Sequence, residues 1–315
     1  MRLHPHFRDL LSALNHDILF QIMDELNLSD LVALRRMSSR SDELVSAYLD
    51  HKFHKLLATF FADVPTARGL MRNTNAVISG SSALAYVLPA NISWSPSDLD
   101  LYVPNVEFNH VVAYLEVFED YTDVTQHGLH NHYSAAVLQV TRLEKGGRTI
   151  DVIKSASNSA LLPLPFFWMT AVINYLSADY AYVGHPELTF QNYALLHPLH
   201  VTHFQTPIPR TIPLVQKYTE RAFDIRTRNV EWSHLPAAPR HITRDRLGGC
   251  SSTVRFFGDE FGLAVSMHPA SAVVHDVVVR QQLTIIWRRG GLPCGLGCLA
   301  RLSDSTAFVE EAWLA

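Results

Sequence analysis

Cysteine is scarce in this chain: Cys250, Cys294 and Cys298 are the three among 315 residues. They form no even disulfide framework, and their scarcity fits a reducing compartment. Charge of one sign is not in excess either. A formal net charge of −4 leaves no broad basic field for nucleic acid or an anionic membrane. Long apolar runs are also missing. The longest, Ala160 to Ile173, is interrupted by Pro163, Pro165 and Thr170 and falls short of the roughly 20 residues that a spanning helix needs. It reads instead as part of a core helix over Phe166 to Ala178, with Pro165 suited to the first turn. The opening Met1-Arg2-Leu3-His4-Pro5 lacks the apolar stretch of a secretory signal, and no internal repeat or low-complexity tract is visible. These absences predict an intracellular chain, in cytoplasm or nucleus, with no membrane partner.

What is present is apolar mass and one acidic motif. A hydrophobic content of 48% is enough core for two or three domains. In Ser97-Asp98-Leu99-Asp100-Leu101-Tyr102-Val103 the acids alternate with leucines. As a strand, this run puts Asp98 and Asp100 on one face and Leu99 and Leu101 on the other. Adjacent carboxylates repel, a cost usually offset by a divalent cation, a cationic partner or solvent. Hard Mg²⁺ or Mn²⁺ takes oxygen ligands, commonly carboxylates together with substrate phosphates.

Two neighbouring segments sharpen that reading. Ala76-Val77-Ile78-Ser79-Gly80-Ser81-Ser82-Ala83-Leu84 reads as a short strand, a Gly-Ser turn and a helix capped by Ser81 or Ser82. Such a turn aims backbone N–H groups and a positive helix end at whatever lies in front, which suits a phosphate. Downstream, Arg148-Thr149-Ile150-Asp151-Val152-Ile153 is a β-branched strand with one carboxylate inside it. A third acid on a strand pairing with the first would complete a two-metal clamp for phosphoryl transfer. The alternative for Asp151 is a half-exposed acid at a sheet edge.

Gly80-Ser81, then Asp98-x-Asp100, then Asp151 in an apolar strand resembles the signature of the nucleotidyltransferase superfamily with the polymerase-β-type fold, over roughly residues 70 to 205. The resemblance implies that Gly80, Ser81 and Ser82 hold the phosphates of an NTP. It also implies that Asp98 and Asp100 bind Mg²⁺ (or Mn²⁺), and that Asp151 binds one of these ions and helps to activate an acceptor hydroxyl. The gap between Ser81 and Asp98 is longer than the usual pattern and contains Pro89 and Pro96, which suggests an inserted loop. The family includes catalytically degenerate members.

The N-terminal sixty-five residues carry a different pattern. Leu14, Ile18, Ile22 and Leu26 lie four apart, an apolar stripe on a helix that Asn15 or Asp17 can cap. Ser29 is expected to cap a second helix carrying Leu31 and Leu34, and further helices follow over Leu44 to Leu49 and His51 to Phe61. So small a unit rarely stands alone and should dock on something. The pattern resembles an F-box, which implies binding to a Skp1-like adaptor of a cullin-RING ubiquitin ligase through Leu14, Ile18, Leu19, Ile22, Leu31 and Leu34. The Pro common after the first Leu is Asn15 here, and the usual late Trp is absent. A plain helical cap packed on the next domain is the alternative.

The rest of the chain predicts a helix over Val106 to Val117 and a hairpin of Tyr133 to Leu143 with Arg148 to Lys154 across Lys145-Gly146-Gly147. Within it Lys154 should face away from Asp151. A short helix over Leu214 to Arg226 and antiparallel hairpins over Ser252 to Met267 and Ser271 to Trp287 follow, with a turn at Arg288-Arg289-Gly290-Gly291. Neither His127, His130 and His132 nor His197, His200 and His203 has a local cysteine or carboxylate to complete a zinc set, and Cys294-x₃-Cys298 with distant Cys250 is a weak one. Trp94 can stack on a base or pack its own loop.

The expected architecture is α+β. An F-box-like helical segment spans 1–65, a nucleotidyltransferase-like mixed sheet with helices spans 66–205, and a β-rich region spans 206–315. The expected activity is metal-dependent nucleotidyl transfer from an NTP to an unknown acceptor. The alternative is an F-box substrate-recognition adaptor that uses a non-catalytic nucleotidyltransferase fold to bind its target.

Overall fold

A computed structural model describes residues 15–125, 136–228, 232, 250, 252–272, 285–292 and 307–311. Leu14, the His127/His130/His132 group, Cys294 and Cys298 lie outside the described residues. The chain opens with helices α1 (His16–Asp24), α2 (Leu28–Arg35), α3 (Ser39–Phe60) and α4 (Val64–Thr74). Asn15 caps α1, its side chain accepting from the Asp17 N–H. Asn27 rather than Ser29 caps α2, forming a reciprocal capping box with Asp30 that satisfies two otherwise unpaired N–H groups. The two helices expected over 44–61 are one 22-residue helix capped by Ser38, because the apolar stripe Leu44, Tyr48, Phe53, Leu57 and Phe60 continues unbroken along one face. All five are buried, and each such side chain contributes about 1.5–3 kcal/mol relative to exposure.

An eight-stranded mixed sheet follows. Its strands are β1 (Val77–Ser79), β2 (Asp98–Val103), β3 (Thr122–Asp123), β4 (Val137–Lys145), β5 (Arg148–Ser155), β6 (Asn174–Leu176), β7 (Tyr180–Val183) and, much later in the chain, β11 (Leu263–Ser266). The order is β11-β7-β6-β1-β2-β5-β4-β3, and of these neighbours only β2 and β5 run parallel. Helices α5 (Gly80–Val87) and α6 (Phe108–Val117) leave β1 and β2 and pack on one face. Beyond β7 come α7 (Pro186–Thr189), β8 (Tyr193–Leu195), α8 (Ile212–Glu220) and β9 (Asp224–Arg226). A three-stranded sheet is built from β10 (Arg255–Phe256), β12 (Ile285–Arg288) and β13 (Phe308–Glu311).

Several expectations are corrected. Phe166 to Ala178 is not a helix: 3₁₀ turns at Leu164–Phe166 and Thr170–Val172 lead into strand β6. All three β6 residues are buried, and a strand covered on both faces loses the alternation that separates it from a core helix. Helix α8 stops at Glu220, and Asp224–Arg226 is a strand paired in parallel with β8. Strands β10 and β11 do not pair with each other; β10 joins β12 while β11 extends the main sheet alongside β7. Where a turn is expected at 288–291, β12 runs to Arg288 and irregular backbone follows, with Gly290 and Gly291 at positive φ.

The sheet divides the hydrophobic interior in two. Ile78, Leu99, Leu101, Val103, Ile150 and Val152 join the helices in the larger core. Val77, Tyr102, Val140 and Ile153 point the other way, into a second core with Tyr175, Tyr182, Phe257, Ile285 and Trp287. Lys154 sits on the helical side, its Nζ 5.2 Å from the centre of the Phe108 ring, opposite to Asp151 as its spacing predicts. Among the described residues, no helix is long and apolar enough to cross a membrane.

Candidate active site

Two adjacent strands, β2 and β5, carry the acidic groups, and β1 brings Ser79 alongside them. The antiparallel register of β1 on β2 sets Ser79 opposite Asp100, and the parallel register of β2 on β5 sets Asp100 opposite Asp151. Alternation then adds Asp98 to the same face. Ligand oxygens of Asp98, Asp100 and Asp151 all lie within 4.8 Å of one another. Asp151 is buried, while Asp98 and Asp100 are partly exposed.

The chain turns into α5 directly beside them. Ser79 holds the N-cap position, so the helix begins at Gly80 rather than after Ser81 or Ser82. Gly80 has φ +66°, and a β-carbon there would overlap the Asp100 carboxylate. Glycine is therefore required twice, for the left-handed backbone and for the close approach. Ser81 and Ser82 are buried, and the Ser82 hydroxyl donates to the Asp98 carbonyl oxygen at 2.9 Å, which ties the turn to the acidic strand.

The electrostatics follow from this crowding. Burial first, then the charges of Asp98 and Asp151, push the Asp100 carboxyl up to about 7, against the pull of Lys217 and Arg142. Asp151 already has a cationic partner. Arg142 donates from Nε to Oδ1 at 2.8 Å and from Nη2 to Oδ2 at 2.6 Å, a two-pronged pair across the hairpin. Helix α8 brings Lys217 and Tyr218 toward the acids, and burial with the nearby Asp100 and Asp98 charges pushes the Tyr218 hydroxyl up to about 12 despite Arg221. The Arg221 guanidinium lies 4.0 Å from the Trp94 ring centre and 4.8 Å from that of Tyr218, so one face of Trp94 carries a cation.

All of the residues expected around the phosphates and the cation therefore come together. Arg142, Lys217, Tyr218 and Arg221 were not anticipated. Arg142 had a readable signal: Gly146 and Gly147 both adopt positive φ in a two-residue turn between Lys145 and Arg148, and counting back from it sets Arg142 opposite Asp151. Nothing local in the sequence indicates that α8 folds back over β2. Three oxygen-bearing carboxylates are a donor set that a hard divalent cation accepts. Asp98 and Asp100 offer their oxygens directly, whereas both oxygens of Asp151 are engaged by Arg142.

The residues expected to meet an adaptor fall in two groups. Leu19 and Leu31 are buried in the chain's own core and Leu34 packs partly against it. Ile18 and Ile22 face outward, 45% and 46% exposed. Of the histidine and cysteine groups, His197 and Cys250 are buried and His200 is held by Thr211. Among the described residues the three aspartates are the one cluster arranged to hold a metal ion. In comparisons with known proteins, no protein-family model, no curated protein and no solved structure matches this chain.

Proposed function

We propose that this chain is a metal-dependent nucleotidyltransferase-like protein that moves a nucleotidyl group from an NTP to an acceptor hydroxyl. One observation carries the reading: three carboxylates within 4.8 Å, on three-strand registers that also press Gly80 against Asp100. A bare acidic pair is common, but a third acid together with a left-handed glycine pressed against one of them is a built arrangement. The resemblance noted in the sequence points the same way.

In this reading Asp98 and Asp100 hold Mg²⁺ or Mn²⁺, and the N–H groups at the start of α5 meet the phosphates with Lys217 adding positive charge. Asp151 orients the acceptor once Arg142 releases one or both of its oxygens. The acceptor oxygen attacks the α-phosphorus, a new P–O bond forms, the bond from that phosphorus to the oxygen bridging to the β-phosphorus breaks, pyrophosphate leaves, and the hydroxyl proton passes to the freed Asp151 carboxylate. A divalent cation held by Asp98 and Asp100 would supply charge neutralisation at the reacting phosphate; the residues supply placement. The test is calorimetric titration of the full chain with Mn²⁺, alongside transfer of label from α-labelled NTP. Wild type should bind and transfer, and Asp100→Asn should lose both. A wild-type chain that binds no Mn²⁺ overturns the reading.

A second reading rests on a different observation, the outward-facing Ile18 and Ile22 on α1. It makes the chain a substrate-recognition adaptor docking a Skp1-like partner through that face. Co-purification lost on Ile18→Asp supports it, and no complex with wild type removes it. Leu31→Asp is not a usable test, because Leu31 is 1% exposed and a carboxylate there disrupts the fold itself.

A further inference from the structure

Trp94, whose ring carries the Arg221 guanidinium, also lines a second concavity. Helices α1, α3 and α5 and the loop after α5 enclose a cavity of about 290 Å³, at the small end of the range for ligand pockets. The loop is held in place from below: the Ala90 N–H donates to the Asp24 carbonyl at 2.6 Å, and the Asn91 side chain bonds Glu25. The N-terminal helices thus form two sides of the cavity; Ser82, whose hydroxyl donates to the Asp98 carbonyl, and Trp94 are part of the rest of its lining.

The lining has a consistent chemistry. Phe20, Tyr48, Tyr86 and Trp94 make it aromatic, while Lys52, Lys55 and His51 outnumber the single acid, Asp24. Asp24 is already occupied by the Tyr48 hydroxyl, at 2.8 Å. Lys52 is the unusual member. Its Nζ gives one N–H to the Leu88 carbonyl at 2.8 Å and lies 5.6 Å and 6.0 Å from the centres of the Tyr86 and Tyr48 rings. The carbonyl takes one of the three N–H bonds an ammonium can donate, and the rings, at those distances, accept none. Burial lowers Lys52 to about 8, with Asp24 pulling in the opposite direction; an arriving anion would favour the charged form that burial disfavours.

We propose that this cavity binds a small aromatic anion, a planar ring carrying one carboxylate or phosphate monoester. The ring packs among Tyr86, Trp94 and Phe20, where aromatic faces give stacking energy beyond area burial. The acidic group meets Lys52, with Lys55 at the rim. None of the three acids lines the cavity, so it takes its ligand whether or not they hold a cation.

Calorimetric titration of the full chain with phenyl phosphate and with benzyl alcohol tests this. Wild type should bind one phenyl phosphate saturably and benzyl alcohol roughly tenfold more weakly or worse, the difference expected for one charge-assisted hydrogen bond. Lys52→Met should weaken phenyl phosphate roughly tenfold while leaving benzyl alcohol unchanged. Ala85→Phe, which fills the cavity from α5, should remove both, and Asp100→Asn, outside the lining, should change neither. Absence of saturable binding to wild type in the millimolar range overturns the proposal, and so does equal affinity for the neutral alcohol. Binding that responds to Asp100→Asn but not to Ala85→Phe also overturns it, by moving the ligand to the acids. The wild-type preference for the anion stands as a test even where Lys52→Met fails to fold.

Discussion

Strands β2 and β5 present two faces of opposite character. On the helical side, Leu99, Leu101, Ile150 and Val152 are all 0–1% exposed and join the larger core. One residue along in each case, Asp98, Asp100 and Asp151 crowd three carboxylates together. A period-2 backbone makes this separation possible: the same few residues anchor the fold with one set of side chains and carry unfavourable charge with the other. The acidic face costs stability, and the apolar face is deep enough to tolerate that cost. Changes on the two sides should therefore have opposite signs.

The largest effect belongs to the apolar side. Leu101→Ala removes a side chain that is 1% exposed between the sheet and the helices, and should destabilise by about 2–5 kcal/mol. Urea unfolding checks it, with the midpoint moving down at an unchanged slope. A loss below about 1 kcal/mol would mean that this face is not where the stability lies.

Asp100→Asn should act the other way. In the unfolded chain the Asp100 carboxyl ionises near 3.8, and in the fold at about 7. Between those values the folded chain keeps a proton that the unfolded chain has lost, so this group makes stability fall as pH rises from about 4 to about 7 and stay level above. A fully buried group with such a difference would cost about 4 kcal/mol at pH 8, and partly exposed Asp100 costs less. The variant should therefore melt higher than wild type at pH 8 and equal to it at pH 4. Mn²⁺ should raise the wild-type melting temperature at pH 8 far more than at pH 4, because the cation and the proton compete for the same oxygens. Parallel melting curves for wild type and variant across that range would refute the crowding.

Gly80→Ala probes the junction of the two faces. A left-handed φ costs a non-glycine residue of order 1 kcal/mol, and the new methyl must displace the Asp100 carboxylate. The expected loss is about 1–3 kcal/mol. It should be smaller in the Asp100→Ala background, where the displaced carboxylate is gone; equal losses in both backgrounds would show that the contact is immaterial.

The legibility of these parts in the sequence tracks how local their causes are. The alternation of Asp98 and Asp100 with Leu99 and Leu101 announces strand and faces together, and the Gly80 turn follows from a glycine between a short strand and a helix. Asp151 stands out as a lone acid among branched residues. The capping of α2 is less direct, since Asn27 and Ser29 are both good caps and only the reciprocal bond from Asp30 decides between them. Strand β6 was unreadable because burial on both faces erases periodicity. Lys217, Tyr218 and Arg221 reach the site through a fold-back over more than a hundred residues, and no local pattern encodes that. The cavity beside Trp94 is equally non-local, assembled from three helices and a loop.

The smallest expected change in stability falls on Arg142, and it is also the most informative about the acids. Its side chain is 53% exposed, so the two-pronged pair with Asp151 is screened and contributes about 0–1 kcal/mol. Arg142→Gln should hardly alter the urea midpoint. Its effect on a cation should be larger, because the guanidinium both occupies the Asp151 oxygens and adds positive charge where another cation would sit. Removing it should tighten Mn²⁺ several-fold in a calorimetric titration. Arg142→Lys separates the two contributions: an ammonium keeps the charge but not the planar fork, so its Mn²⁺ affinity should fall between wild type and Arg142→Gln. If Arg142→Lys matches wild type, charge alone governs the competition; if it matches Arg142→Gln, occupation of the oxygens does. An unchanged or weaker affinity in Arg142→Gln would mean that Asp151 takes no part in holding the ion, leaving Asp98 and Asp100 as the whole of the site.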